Sequence, residues 1–239
     1  MLVDIFITTC GRSDLFFESL QSFIQNTDKT KTPYRLTIMA DGDYNHLPVN
    51  SSQADFILLN NGDPQGLGPA INRALAHISA LNTYFDNNKS DFICMCQDDI
   101  IYEKDWLEKL LKAYTAFSKV KKLGFATGHV AVEHPTRSEV RFGNDKILFK
   151  DWIRATQMLA PTDYWLSMMP IPRMDPETGR ERARPHGGMG SSVDWWVLRN
   201  HPNSVCKTGR TNLVYPGLIK HIGASQSTWY KGNLPEDAG

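Results

Sequence analysis

Apolar positions in the first half of the chain fall by turns into short runs and longer helical stripes. Leu2 to Thr8 reads as a strand, followed by the turn Thr9-Cys10-Gly11-Arg12. Ser13 then caps a helix to about Asn26, in which Leu15, Phe16, Leu20, Phe23 and Ile24 share one face. Strands follow at Tyr34 to Ala40, ending in Asp41-Gly42-Asp43, and at Phe56 to Leu59. A glycine-rich loop from Gly62 to Gly68 leads into a helix that Pro69 opens and that runs to about Leu81. The fourth strand is the apolar run Phe92 to Cys96, continuous enough to be buried on both faces. This β-α-β-α-β order predicts a mainly parallel α/β sheet with helices on both faces. Ligands of such sheets bind beyond the carboxyl ends of the strands, the edge where these loops fall.

The second half is less regular. A helix from Lys104 to Lys119 and a strand near Leu123 to Val132 precede a stretch with no clear period. Residues 170–190 are rich in Pro, Gly and Arg, and a loop of that length inside a domain is functional or disordered. Ordered apolar patterning resumes at Val193 to Leu198 and Val214 to Ile222, and the tail from Lys231 is expected to fray. The 239 residues suit one large domain or two intimately fused halves, and bury a core easily.

The fourth strand ends abruptly in Asp98 and Asp99. Two carboxylates side by side at the end of a buried strand repel each other and need a compensating partner. A hard divalent cation would serve, because Mg²⁺ and Mn²⁺ prefer oxygen ligands. The plainer alternative is a turn in which Asp99 caps the helix starting near Glu103. Formal net charge is zero, from 26 basic and 26 acidic residues, so no general attraction to nucleic acid or an anionic surface is expected. The four cysteines lack CxxC spacing, and Cys94, Cys96 and Cys206 stand in apolar surroundings. They read as reduced core residues of a cytoplasmic protein. Neither a signal peptide nor a transmembrane run is evident, and peripheral membrane association stays open.

The order of the motifs adds more. A first strand ending in ITTCGR, a second ending in ADGD, then NNGDPQGLGPAINRAL, QDD and finally YPGLIKHIG together resemble nucleotide-sugar-dependent glycosyltransferases of the GT-A fold. Family 2 and its relatives with an EDD motif, such as N-acetylglucosaminyltransferases, look similar in this order of motifs. The resemblance runs from Leu2 to about Ser227 and is weak between Glu133 and Gly190. It implies a GT-A, Rossmann-like mixed sheet, mainly parallel and flanked by helices. Residues 1–103 would be a nucleotide-sugar-binding half, and residues 104–239 an acceptor-binding half.

Roles follow from the matched positions. The resemblance implies that Thr8, Thr9 and Arg12 cradle base and ribose. It also implies that Asp41 accepts a hydrogen bond from a pyrimidine, although an Asp before Gly42 can equally form a turn. Gly66 would let backbone approach the donor, and Asn72 and Arg73 would lie near its diphosphate or sugar; turns and exposed helices use the same residues. Asp99 would bind the metal directly, Asp98 would meet ribose or sugar, and His221 would join the metal. Gln97 departs from the acid that many relatives carry. Asp194, in GSSVDWWVLR, would be the catalytic base, or else a carboxylate stabilising a helix N-terminus. Trp195 and Trp196 offer a sugar-stacking face or core packing. The RERARPHGGMG segment, with Arg182 and Arg184, would form a lid or remain a solvated charge run.

The activity implied is metal-dependent (Mn²⁺ or Mg²⁺), inverting transfer of a sugar from a nucleotide-diphosphate donor, UDP-linked by expectation, to a hydroxyl of a glycan or other acceptor. A sugar-phosphate nucleotidyltransferase and a non-catalytic nucleotide- or glycan-binding module are the alternatives. No stable nucleic-acid partner is expected.

Overall fold

The apolar runs of the first half become β1 (Val3–Thr9), β2 (Tyr34–Asp41), β3 (Phe56–Asn60) and β4 (Phe92–Gln97), with α1 (Ser13–Asn26) and α2 (Leu67–Tyr84) between them. These strands pair in parallel, as expected. The structure is a computed structural model, and it describes residues 1–42, 53–60, 65–85, 88–172 and 191–223. The second half contributes β5 (Ile100–Tyr102), α3 (Trp106–Ser118), β6 (Leu123–Thr127), β7 (Thr136–Phe142), β8 (Asp145–Lys150), β9 (Gln157–Pro161), α4 (Thr162–Leu166), α5 (Ser191–Trp195), a π-helical turn (Trp196–Asn200), β10 (Thr211–Val214) and β11 (Ile219–His221).

One sheet of nine strands, ordered β3-β2-β1-β4-β9-β6-β10-β8-β7, runs through both halves of the chain. It is mixed. β6 and β10 are parallel, whereas β9 runs antiparallel between β4 and β6, and β8 antiparallel to β7 and β10. Alternation along the strands divides the core into two layers. Val3, Ile5, Ile7, Cys94 and Cys96 pack with Phe16, Leu20 and Phe23 of α1 and with Leu107, Leu110 and Leu111 of α3. On the other face, Phe6, Ile93 and Met95 meet Ile71, Ala74, Leu75 and Ile78 of α2 and Trp165 of α4.

Several local expectations are corrected. Ser13 is the first residue of α1; Arg12 precedes it, and no side chain caps that end. The helix expected from Lys104 begins at Trp106, because Asp105 turns the chain in the left-handed region at φ 58°. Asp99 therefore caps no helix: a strand, β5, follows it directly. The strand expected to reach Val132 stops at Thr127, where Gly128 abuts Leu218. Cys206 is exposed, whereas Cys94 and Cys96 are buried as expected. Ile24 lies largely outside the core, at 40% exposure. No helix among the described residues is long and apolar enough to cross a membrane.

Candidate functional site

Parallel registry brings the carboxyl ends of β1, β2 and β4 together: Thr9 lies beside Ala40, and Thr8 beside Gln97. The residues following each strand then face one another. Thr9 donates from Oγ1 to Asp98 Oδ2 at 2.7 Å. Arg12, just past the β1 turn, folds back over the acids, with Nη1 2.7 Å from Asp99 Oδ2 and Nη2 bonded to Asp98 Oδ1. Both aspartates are 1% exposed. A guanidinium spanning two buried carboxylates supplies much of the compensation that such a pair requires.

The remainder comes from the far end of the described chain. β5 and β11 form a short antiparallel ribbon in which Ile100 pairs with His221, and Ile222 N–H donates to the Asp99 carbonyl at 2.9 Å. This registry sets His221 Nε2 3.2 Å from Asp99 Oδ2. Asp99 Oδ1 is buried with no hydrogen-bond partner among the described residues. Burial pushes both acids upward. At Asp99 the His221 hydrogen bond and the Arg12 charge outweigh it, and the pKa falls below the ordinary carboxylate value. At Asp98 burial wins over Arg12, and the pKa rises. Adjacent acids are thus held in different states of readiness to ionise.

Gly223 completes this corner. A Cβ there would stand 2.6 Å from the Asp99 Cβ, closer than real side chains approach. Because Arg12 and His221 pin the Asp99 carboxylate, it cannot simply rotate away. Gly223→Ala is expected to cost about 1–3 kcal/mol by overpacking, read as a lower urea midpoint, and to weaken any cation binding measured by calorimetry.

Asp41 accepts from Asn60 Nδ2 at 2.6 Å and from Gly66 N–H at 2.7 Å, with Arg73 Nη1 3.8 Å away. It fastens Gly66, and with it the start of α2, to the end of β2, and Gly66, at φ 97°, enters α2 in a conformation that suits glycine. Asn72 is committed to backbone: its Nδ2 donates to Ile171 O at 2.7 Å, and its Oδ1 accepts from Ile171 N–H at 2.8 Å. It anchors the 171–172 segment against the start of α2.

Asp194 lies in α5 with Oδ1 buried and without a partner among the described residues. Burial raises its pKa to about 7, against a backbone hydrogen bond from Ala155 and the charge of Arg154. Thr156, next to that residue, accepts from Gln97 N–H at 3.0 Å, so Asp194 neighbours the end of β4 that carries the acid pair. Trp196 is an anchor: its indole N–H donates to Met168 O at 3.0 Å, and its ring packs on His201. Trp195 is half-buried. Asp43, Gly62, Arg182, Arg184 and most of the 170–190 segment lie outside the described residues.

Sequence reasoning passed over His129, Glu133 and Arg154. His129 follows β6, and its ring meets that of His221 edge-to-face, centroids 5.9 Å apart. Burial, with His221 and Arg154 nearby, lowers its pKa to about 4, so the imidazole is neutral at physiological pH. Arg154 pairs with Glu133 at 2.5 Å, close enough for both to influence Asp194. The available signal was position: GHVAVE directly follows a strand ending on the edge where the other site residues gather.

No family model and no curated protein matches the sequence. Solved structures do. TarS from S. aureus superimposes with TM-score 0.51 at 12% identity, over 90% of this chain and 35% of that one. GalNAc-T7, determined with UDP, GalNAc and Mn²⁺, gives TM-score 0.58 at 10% identity, over 92% of this chain and 43% of that one. The chain therefore has the GT-A-like fold of nucleotide-sugar glycosyltransferases, and it spans less than half the length of these two neighbours.

Proposed function

We propose that the chain transfers a glycosyl group from a nucleoside-diphosphate sugar to an acceptor hydroxyl, with inversion at the anomeric carbon and with help from a divalent cation. One observation carries the reading: Asp99, next to Asp98 at the carboxyl end of a central strand, meets His221 at 3.2 Å. Residues about half the chain apart converge there, on the edge where α/β sheets bind ligands.

The residues fit a cation. Asp99 offers an oxygen with no partner among the described residues and His221 an imidazole nitrogen. Among the described residues no three His, Cys, Asp or Glu are grouped to hold a metal, so the remaining ligands would be donor oxygens or water. Asp99 and His221 would hold Mn²⁺ or Mg²⁺, whose charge would offset that growing on the departing diphosphate.

The chain's own groups do the rest. Thr8, Thr9 and Asp41 line the edge that would receive base and ribose; UDP is favoured because Asp41 can accept from a pyrimidine N3–H. Arg12 can follow the acids or turn toward phosphate, and Arg73 stands beside Asp41. Asp98, bonded to Thr9, would meet ribose or donor sugar. Asn72 supports the site by holding Ile171. Asp194 would take the proton of the acceptor hydroxyl as its oxygen bonds to the anomeric carbon and the bond to the diphosphate breaks. A pKa near 7 suits that task, since the carboxylate can both form and hold a proton near neutrality. Residues 1–103 supply most of the donor pole, whereas residues 104–239 supply the acceptor pole and return His221 to the metal pole.

The test is a screen of UDP-, GDP- and dTDP-sugars for thermal stabilisation with and without Mn²⁺, followed by assay of the products. Mn²⁺-dependent stabilisation with release of free nucleoside diphosphate is expected. Release of pyrophosphate would indicate a nucleotidyltransferase, and stabilisation with no product across an acceptor panel a binding module.

A further inference from the structure

The segment between β6 and β7 is braced more heavily than a surface connection needs. Gly128 N–H donates to Gln157 Oε1 at 2.8 Å, and His129 N–H to Thr127 Oγ1 at 3.1 Å. Lys150, 2% exposed, spends its ammonium on two carbonyls of the same segment, Ala131 at 2.7 Å and His134 at 2.6 Å. Burying a lysine to hold two backbone oxygens is costly unless the shape it enforces matters. A Cβ at Gly128 would stand 2.7 Å from Leu218 Cβ and 3.2 Å from Ile219 N. The segment is thus pressed against the residues that lead into His221.

This bracing delivers the His129 ring to the His221 ring, centroids 5.9 Å apart and planes inclined at 66°. Edge-to-face contact constrains the plane of the receiving ring. Among the described residues no three-ligand metal group exists, so His129 does not complete a trio with Asp99 and His221.

We infer that His129 is a positioning residue: its ring fixes the plane of the His221 imidazole so that Nε2 stays directed at Asp99. Metal-binding imidazoles depend on outer neighbours, most often hydrogen-bond partners, for their orientation, and losing one typically weakens metal binding by about 10–100-fold; a ring contact acts in the same sense, at the lower end of that range. The effect on cation binding rests on the glycosyl-transfer reading of the site; the orientation of His221 does not.

Two substitutions test this in the 239-residue chain. His129→Ala removes the ring, whereas His129→Phe keeps the edge-to-face partner and removes the nitrogens. In metal-free protein, ¹⁵N-resolved imidazole spectra should show the His221 signals shifted or broadened in His129→Ala and near wild type in His129→Phe. Calorimetric affinity for Mn²⁺ in the presence of UDP should fall at least about tenfold in His129→Ala and largely recover in His129→Phe. Unchanged His221 signals in His129→Ala would overturn the inference, as would a His129→Phe protein as impaired as His129→Ala. Should the wild-type protein bind neither Mn²⁺ nor UDP, the transfer reading falls, and the imidazole spectra still decide the role of His129.

Discussion

Asp194→Asn is expected to lower turnover by about 10²–10⁴-fold, the usual contribution of a positioned base, while Mn²⁺-dependent binding of UDP stays near wild type. The amide keeps the volume of the side chain and cannot take the acceptor proton. The pH dependence gives a second signature. With Asp194 titrating at about 7 inside the fold, wild-type kcat/KM should rise through neutrality and level above it. The variant's residual rate should lack that step.

Stability should move the opposite way. The ordinary value for this acid is 3.8, and burial raises it to about 7. Between these values the unfolded chain has lost the proton that the folded chain retains. Wild-type stability therefore declines as pH rises across that window, and the full penalty is in place above it. Asparagine carries no such penalty, so Asp194→Asn should melt higher than wild type at pH 8 and nearly level with it at pH 4. Near-normal turnover, or a melting difference independent of pH, would remove Asp194 from the role of base.

Asp99→Ala is expected to abolish Mn²⁺-dependent donor binding. The substitution removes the carboxylate that accepts from both Arg12 and His221, leaving the imidazole without its partner and the guanidinium on Asp98 alone. Asp99→Asn separates charge from shape, and it should retain most of the fold while losing the cation effect. Calorimetric titration of UDP with and without Mn²⁺ reads the result. Equal Mn²⁺ enhancement in wild type and Asp99→Ala would place the cation elsewhere.

The first half of the fold was legible because β1, β2 and β4 are buried on both faces and its helices on one, so composition and period agree. β7 was not: TRSEVRF lies on the sheet edge with most of its side chains in solvent, and nothing forces an apolar alternation there. β9 was hidden by its brevity, five residues between better-marked neighbours. At the site, Asp98, Asp99 and His221 could be picked out because their motifs are ordered along the chain, and the β5–β11 ribbon brings them together. Arg12 as counter-charge to the acids could not be read that way, since a loop arginine carries no sign of which carboxylate it will reach. Asn72 belongs to the same class, being tied to a backbone position 99 residues further along the chain. His129 depends on packing between the segment after β6 and β11, a relation that period and motif do not encode.

The strand order also divides the site by robustness. Asp98 and Asp99 extend from β4, which has three strands on one side and five on the other, whereas Asp41 extends from β2, one strand from the rim. Opening of a rim strand, the smallest and most frequent kind of excursion, frees Asp41 from Asn60 of β3 without disturbing the acids. Under the roles proposed for Asp41 and Asp99, gentle warming should therefore erode discrimination among nucleobases well before it loosens the hold on a diphosphate.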